Sequence, residues 1–197
     1  MRLTERQLRK FIRKTILLES MMMPEQLGDD LRIEVINAGY DMSTGKYSPP
    51  ASYEVNLYKK GKAPDGHLGE FEVGNVSVTY SLRCNAYEIV IAYSDIDKYG
   101  PLLYDVAIEV AGDQGLVPDR DQVSIDAEKV WRYYLRRRYD ITAKPIQSLA
   151  CDSPRGAFAG GKDKFGEYDW ANWIYYQTSG APMTDRLVKL NKITFKG

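Results

Sequence analysis

One apolar segment, Tyr87 to Tyr93, most limits what this chain can fold into. Its β-branched and aromatic residues are almost continuous, as is typical of a strand in the middle of a sheet. After a loop, Pro101 suits the first turn of a helix because its missing N–H group needs no partner there. The stretch from Tyr87 to Ala111 therefore predicts a central strand, a loop and a helix.

Other periodic segments extend this core in both directions. Upstream, alternation predicts antiparallel strands at Leu31–Ile36, Tyr53–Tyr58 and Phe71–Tyr80. Downstream, the patterns predict a short strand at Leu116–Pro118, a helix at Ile125–Arg138 capped by Ser124, a strand at Trp170–Tyr176 and a helix at Met183–Leu190. The 197 residues, 44% of them hydrophobic, suffice for one ordinary core. We expect an α+β domain over residues 31–197.

Residues 1–20 have a different pattern, that of a basic amphipathic helix. Thr4 and Gln7 form a capping box at its start. A short helix is marginal alone in water, so its apolar stripe needs a surface to cover it. That surface is its own domain, a groove on another protein, or an anionic membrane or nucleic acid. A protein partner would contact Arg6, Leu8, Arg9, Phe11, Ile12 and Arg13.

Composition argues against several functions. Lys+Arg and Asp+Glu both number 27, so the whole chain has no general attraction for nucleic acid or an anionic membrane. No apolar run approaches the roughly 20 residues of a membrane-spanning helix. The single histidine, His67, and the two cysteines have no metal-ligand spacing, so we expect no metal site. Cys84 and Cys151 are expected to be reduced thiols in a cytoplasmic protein.

Two motifs resemble those of the GNAT acyltransferases. The element order of the domain is theirs, the segment Tyr99 to Glu109 resembles their pyrophosphate-binding turn and helix, and Ser124-x-x-Ala127-x-x-x-Trp131 resembles a later helix. The resemblance implies a mixed, mostly antiparallel sheet with flanking helices. It also implies acetyl-CoA as the cofactor, held at the positive end of the first helix by Lys98, Tyr99, Gly100, Leu102 and Leu103.

The same resemblance implies catalytic roles. Many members of the family use a tyrosine of the later helix to protonate the leaving thiolate. Here that position is Trp131, and Tyr134, about one turn onward, is the expected substitute. A carboxylate, Glu72 or Glu88, is the expected base. The acyl acceptor would be an amine on a small molecule or a protein.

An alternative function is a non-catalytic one. If Gly100 is the second glycine of the family pattern, Asp95 replaces its Gln or Arg and Lys98 its first glycine. The closest resemblance is to GNAT-like proteins encoded by bacteriophages. The chain would then be a structural or interaction component of a phage particle, anchored by the helix of residues 1–20. We expect it in the host cytoplasm or within that particle.

Overall fold

The computed structural model describes residues 23–37, 40–41, 46–47, 52–63, 66–120, 122–138, 140–151, 169–178 and 183–196. The predicted N-terminal helix, and the partner-binding residues assigned to it, lie outside these ranges. No described helix has the length and apolar character needed to cross a membrane. The description below concerns the α+β domain.

The described chain forms ten strands and three α-helices. The strands are β1 (Leu31–Asn37), β2 (Tyr40–Asp41), β3 (Lys46–Tyr47), β4 (Ser52–Lys62), β5 (Leu68–Ser81), β6 (Ala86–Ser94), β7 (Leu116–Val117), β8 (Ile141–Pro145), β9 (Trp173–Gln177) and β10 (Ile193–Lys196). The helices are α1 (Gly100–Ala111), α2 (Ile125–Arg137) and α3 (Met183–Lys189). Strands β2 and β3 form a separate two-stranded ribbon.

The main sheet is mixed and strongly curled, with eight strands in the order β10-β1-β4-β5-β6-β7-β9-β8. The predicted antiparallel meander is confirmed, since β1, β4, β5 and β6 pair antiparallel in that order. Parallel pairs join β1 to β10 and β6 to β7. Strand β6 is central, as its apolar sequence predicts. The α+β class and the mostly antiparallel sheet are therefore confirmed.

Helix α1 packs across one face of the sheet. Leu102, Leu103, Val106 and Ala107 are each no more than 1% exposed. Leu103 lies so close to β5 that a Cβ atom on Gly74 would be 3.1 Å from its Cδ1 atom. The predicted helix and its apolar face are thus confirmed.

Helices α2 and α3 are fixed by their N-termini. Ser124 caps α2 as predicted, because its hydroxyl oxygen accepts the N–H of Ala127 at 3.2 Å. The first turn of α3 donates the N–H groups of Met183 and Thr184 to the carboxylate of Glu109 on α1. This second contact joins segments far apart in sequence, so no local pattern indicates it.

Three features of the sheet differ from the sequence-based prediction. Strands β8 and β10 were not predicted, since both are short and β8 contains a proline. The predicted strand at Trp170–Tyr176 begins only at Trp173, because Asp169–Asn172 forms a 3-10 turn. The second half of β6 is not buried, and Val90 and Ile91 are 52% and 54% exposed.

The prediction of two reduced thiols is wrong. Cys84, in the turn between β5 and β6, forms a disulfide with Cys151, which follows β8, and their Cα atoms are 4.6 Å apart. Ala86, Val117 and Ile174 surround the bond in a small apolar cluster. The long sequence separation hid this pairing, because only the sheet order brings the two segments together.

Candidate functional site

A cleft opens in the sheet where β6 and β7 separate. The two strands pair only at Tyr87 with Leu116 and Glu88 with Val117. Beyond Glu88, β6 continues to Ser94 without a strand partner on that side among the described residues. A bulge accompanies the separation, because Ser77 and Val78 of β5 pair with Ile91 and Ile89 and leave Val90 unmatched. Bulges increase strand twist and end regular pairing.

The cleft contains two adjoining cavities, of about 490 Å³ and about 210 Å³. Both are lined by Ala92 of β6, Tyr104 of α1, and Ser124 and Ala127 at the start of α2. The floor and walls therefore come from the central strand and from two helices that follow it. The larger cavity is within the size range of small-molecule sites.

The N-terminus of α1 opens into the larger cavity through Gly100 and Pro101. Among the described residues, nothing accepts the backbone N–H of Gly100 or Leu102, and Tyr99 provides no side-chain cap. Unpaired N–H groups and the helix dipole make this end positive and favour an anion. The backbone of Lys98, just before the helix, has a φ of 73°. That conformation is one that glycine adopts most easily.

Charged side chains at the cleft have both signs. Asp97, Lys98 and Asp126 line the larger cavity, and Asp119 lines the smaller one. Asp126 forms an ion pair of 2.7 Å with Lys129. Carboxylates at the walls oppose an anion, whereas Lys98 and the helix end attract it.

The predicted cofactor-binding residues fall into two groups. Lys98 and Gly100 line the cavity. Tyr99, Leu102 and Leu103 have side chains in the core, with exposures of 7%, 1% and 0%. Leu102 could thus contact a ligand only through its backbone N–H, because its side chain packs inward.

Tyr134 lies outside the cleft lining. Its hydroxyl oxygen is 2.7 Å from an oxygen of Asp105 and 3.1 Å from the carbonyl oxygen of Pro101. Arg138 donates to the same carboxylate at 3.0 Å and also pairs with Asp140. The hydroxyl thus belongs to a buried polar network that joins Asp105 of α1 to Tyr134 of α2 and to Arg138 at the C-terminal end of α2. Its predicted role as a proton donor stays a prediction.

The network affects how stability depends on pH. Burial raises the pKa of Asp105 to about 6, although Arg138 and the Tyr134 hydroxyl act to lower it. A carboxyl whose pKa is higher in the folded chain stabilises the fold below pH 4, and this contribution is lost as the pH rises through about 6.

We compare the free energies of unfolding of the native chain and of Asp105→Asn. The value for the native chain minus that for the variant should decrease by about 2 kcal/mol between about pH 4.5 and pH 7.5. Urea unfolding of both proteins at the two pH values measures this difference. All other titrating groups are shared by the pair, so they cancel unless coupled to Asp105. If the difference increased with pH, the pKa of Asp105 would not be raised in the folded chain.

The two predicted bases have different surroundings. Glu88 lies at the closed end of the cleft, where its carboxylate accepts from Arg83 at 3.0 Å and from the backbone N–H of Arg120 at 3.1 Å. Glu72 is exposed on β5 and accepts the hydroxyl of Tyr93, a residue that lines the larger cavity. That hydrogen bond raises the pKa of Tyr93 to about 12. Glu72 is therefore the candidate connected to the cleft.

Sequence reasoning missed Tyr104, which lines both cavities. A signal existed, since residues 100, 101 and 104 share one face of a helix. Among the described residues, no group of three or more His, Cys, Asp or Glu side chains could hold a metal ion.

No family model, curated protein or solved structure matches this chain. What the protein does therefore has to be inferred from the chemistry of the cleft. That chemistry combines a positive helix end, a tyrosine hydroxyl and an exposed strand edge.

Proposed function

We propose that this chain is a GNAT-like N-acyltransferase that binds acyl-CoA, with acetyl-CoA as the simplest cofactor, in the cleft between β6 and β7. The single observation that carries the proposal is the position of the α1 N-terminus, which opens into a cavity of about 490 Å³. An amine would attack the thioester there. The reaction needs a site for the pyrophosphate, room for the thioester and an approach for the amine.

Three features support a pyrophosphate at the helix end. The N–H groups of Gly100 and Leu102 have no acceptor among the described residues. Lys98 adds a positive charge at the same rim. The positive φ of Lys98 suits this position, because the GNAT proteins that the sequence resembles have a glycine there. Helix N-termini with free N–H groups are common phosphate sites.

The connection of the strands supports the same proposal. Helix α1 crosses from β6 to the parallel strand β7, and β9 lies between β7 and β8. The unpaired part of β6 and the N-terminus of α1 line the same cavity, through Ala92 to Ser94 and through Gly100 and Pro101. The resemblance of the sequence motifs to GNAT proteins predicts acyl-CoA at such a separation.

Amine binding is supported by acidic groups near the open edge. Glu72 accepts the hydroxyl of Tyr93, and Asp95 is close enough to Tyr93 to act on its pKa. A protonated amine would be attracted to these carboxylates. Glu72 would then be placed to accept the proton that the amine loses.

A second candidate is the non-catalytic component of a phage particle. It is favoured by the engagement of Tyr134 and Glu88 in structural contacts and by the aspartates at the cleft. Its anchor, the predicted helix of residues 1–20, lies outside the described residues. Under this candidate, the cleft would take no acyl-CoA.

Gly100→Asp separates the two candidates. A Cβ atom at Gly100 would have no neighbour within 4 Å, so the new side chain fits without repacking. A carboxylate in the first turn of a helix does not destabilise it. Next to the pyrophosphate, however, it should weaken acetyl-CoA binding at least about tenfold. Isothermal titration calorimetry measures the dissociation constants.

Gly69→Asp is the matched control. It makes the same change of side chain and charge at another site without neighbours within 4 Å, near the beginning of β5. We expect its affinity for acetyl-CoA to equal that of the native chain. Absence of binding to the native chain at millimolar acetyl-CoA would reject the proposal. Equal binding by the native chain and Gly100→Asp would place the ligand elsewhere.

A further inference from the structure

The hydroxyl of Tyr104 differs from those of other buried tyrosines. Tyr53 and Tyr175 donate to backbone carbonyl oxygens at 2.7 Å, and Tyr134 lies against Asp105. Tyr104 is only 6% exposed, yet no described residue forms a hydrogen bond with its hydroxyl. Its hydroxyl oxygen is not one of the fully buried atoms without a partner, so it is open to the cavities. Because Tyr104 lines both cavities, a ligand in the cleft could supply a hydrogen-bond partner.

The ring of Tyr104 is held in place by its neighbours. Trp131 packs edge-on against it, with ring centres 5.3 Å apart and an angle of 84°. Trp131 occupies the position where the resembling family has its catalytic tyrosine. Burial, with a smaller effect of Asp119, raises the pKa of Tyr104 well above the usual value. The hydroxyl therefore stays protonated and remains a hydrogen-bond donor.

We propose that the Tyr104 hydroxyl donates a hydrogen bond to the sulfur of bound acyl-CoA, an inference that rests on the proposed acyl-CoA site. The amine nitrogen forms a bond to the thioester carbon, the carbon–sulfur bond breaks, and the electron pair moves to sulfur. The proton lost by the amine leaves through Glu72 or solvent. Tyr104 stabilises the negative charge that develops on sulfur, and in this proposal it is Tyr104, not Tyr134, that contacts the leaving group.

The hydrogen bond should be stronger to a charged sulfur than to a neutral one. This difference can be measured by binding experiments in which the amine is not needed. Removing one preorganised donor to a developing charge lowers turnover about 10²–10³-fold. The CoA thiolate carries the same charge at equilibrium, whereas the sulfur of acetyl-CoA is neutral. The hydroxyl should therefore favour CoA thiolate over acetyl-CoA.

Tyr104→Phe tests this differential effect. At about pH 9.5, where part of the CoA thiol is ionised, we expect the variant to bind CoA at least about threefold more weakly than the native chain. Its affinity for acetyl-CoA should change less than about twofold. Calorimetric titrations of both ligands at about pH 7 and pH 9.5 give these ratios. The fold should persist, because no described residue bonds to the lost hydroxyl.

Tyr53→Phe is the control, since it removes a buried hydroxyl that bonds to Ala107 on the same helix. We expect it to leave the ratio of CoA to acetyl-CoA affinity unchanged. Parallel losses for both ligands in Tyr104→Phe, or no loss for either, would overturn the assignment of Tyr104 alone. Failure of the native chain to bind either ligand would instead overturn the acyl-CoA site, and this inference with it.

Discussion

Replacing Trp131 with alanine is expected to lower the free energy of unfolding by about 3–5 kcal/mol. Trp131 is 1% exposed and lies at the centre of an aromatic cluster. Its ring centre is 5.3 Å from Tyr104, 5.9 Å from Tyr134 and 4.7 Å from Tyr175. Truncation would remove these contacts and leave a cavity between α1, α2 and β9. The loss combines transfer of apolar surface with the cost of that cavity.

Urea unfolding followed by circular dichroism measures the change. Trp173→Ala is the matched control, because Trp173 is only partly buried and packs at the edge of the same core. We expect its loss to be clearly smaller than that of Trp131→Ala. Equal losses would mean that the aromatic cluster contributes no more to the free energy of unfolding than a side chain at the edge of the core does.

Reduction of the Cys84–Cys151 disulfide is expected to lower the free energy of unfolding by about 2–4 kcal/mol. The bond links residues separated by 67 positions, so it strongly restricts the unfolded chain. It also ties the β5–β6 turn to the segment after β8. Unfolding with and without a reductant gives the difference.

The Cys84→Ala/Cys151→Ala variant separates the bond from other effects of reductant. It should be as unstable as the reduced native chain and should not respond to reductant. Thiol titration of the denatured, unreduced chain should find no free thiol. Two titratable thiols there would refute the bond. Since disulfides are rare in a reducing cytosol, this assay also bears on the cytoplasmic location, which stays a prediction.

Local patterns predicted the elements on both sides of the cleft. Alternation identified β1, β4 and β5, the apolar run identified β6, and Pro101 marked the beginning of α1. These signals are local because each depends on side-chain periodicity or on one residue's backbone preference. Short strands such as β8 and β10 contain too few residues for a period, so they become strands only through their partners in the sheet.

The site was predictable only in part. Lys98 and Gly100 were identified because the helix start that they flank is a local feature, and both line the cleft. Helical spacing puts Tyr104 on the same face as Gly100 and Pro101, but it does not show whether the hydroxyl of Tyr104 or that of Tyr134 faces the cleft. Only the packing of α1 against α2 places one hydroxyl in the cleft and the other beside Asp105.

The sequence by itself determined the strand, loop and helix from β6 through α1, because backbone preferences and apolar periodicity act over a few residues. The tertiary structure alone decided that β6 and β7 separate beyond Glu88, that Cys84 meets Cys151, and that Tyr104 reaches the cavity. These outcomes depend on contacts between residues distant in sequence. They are stabilised by strand pairing and core packing between segments, which no single segment can provide.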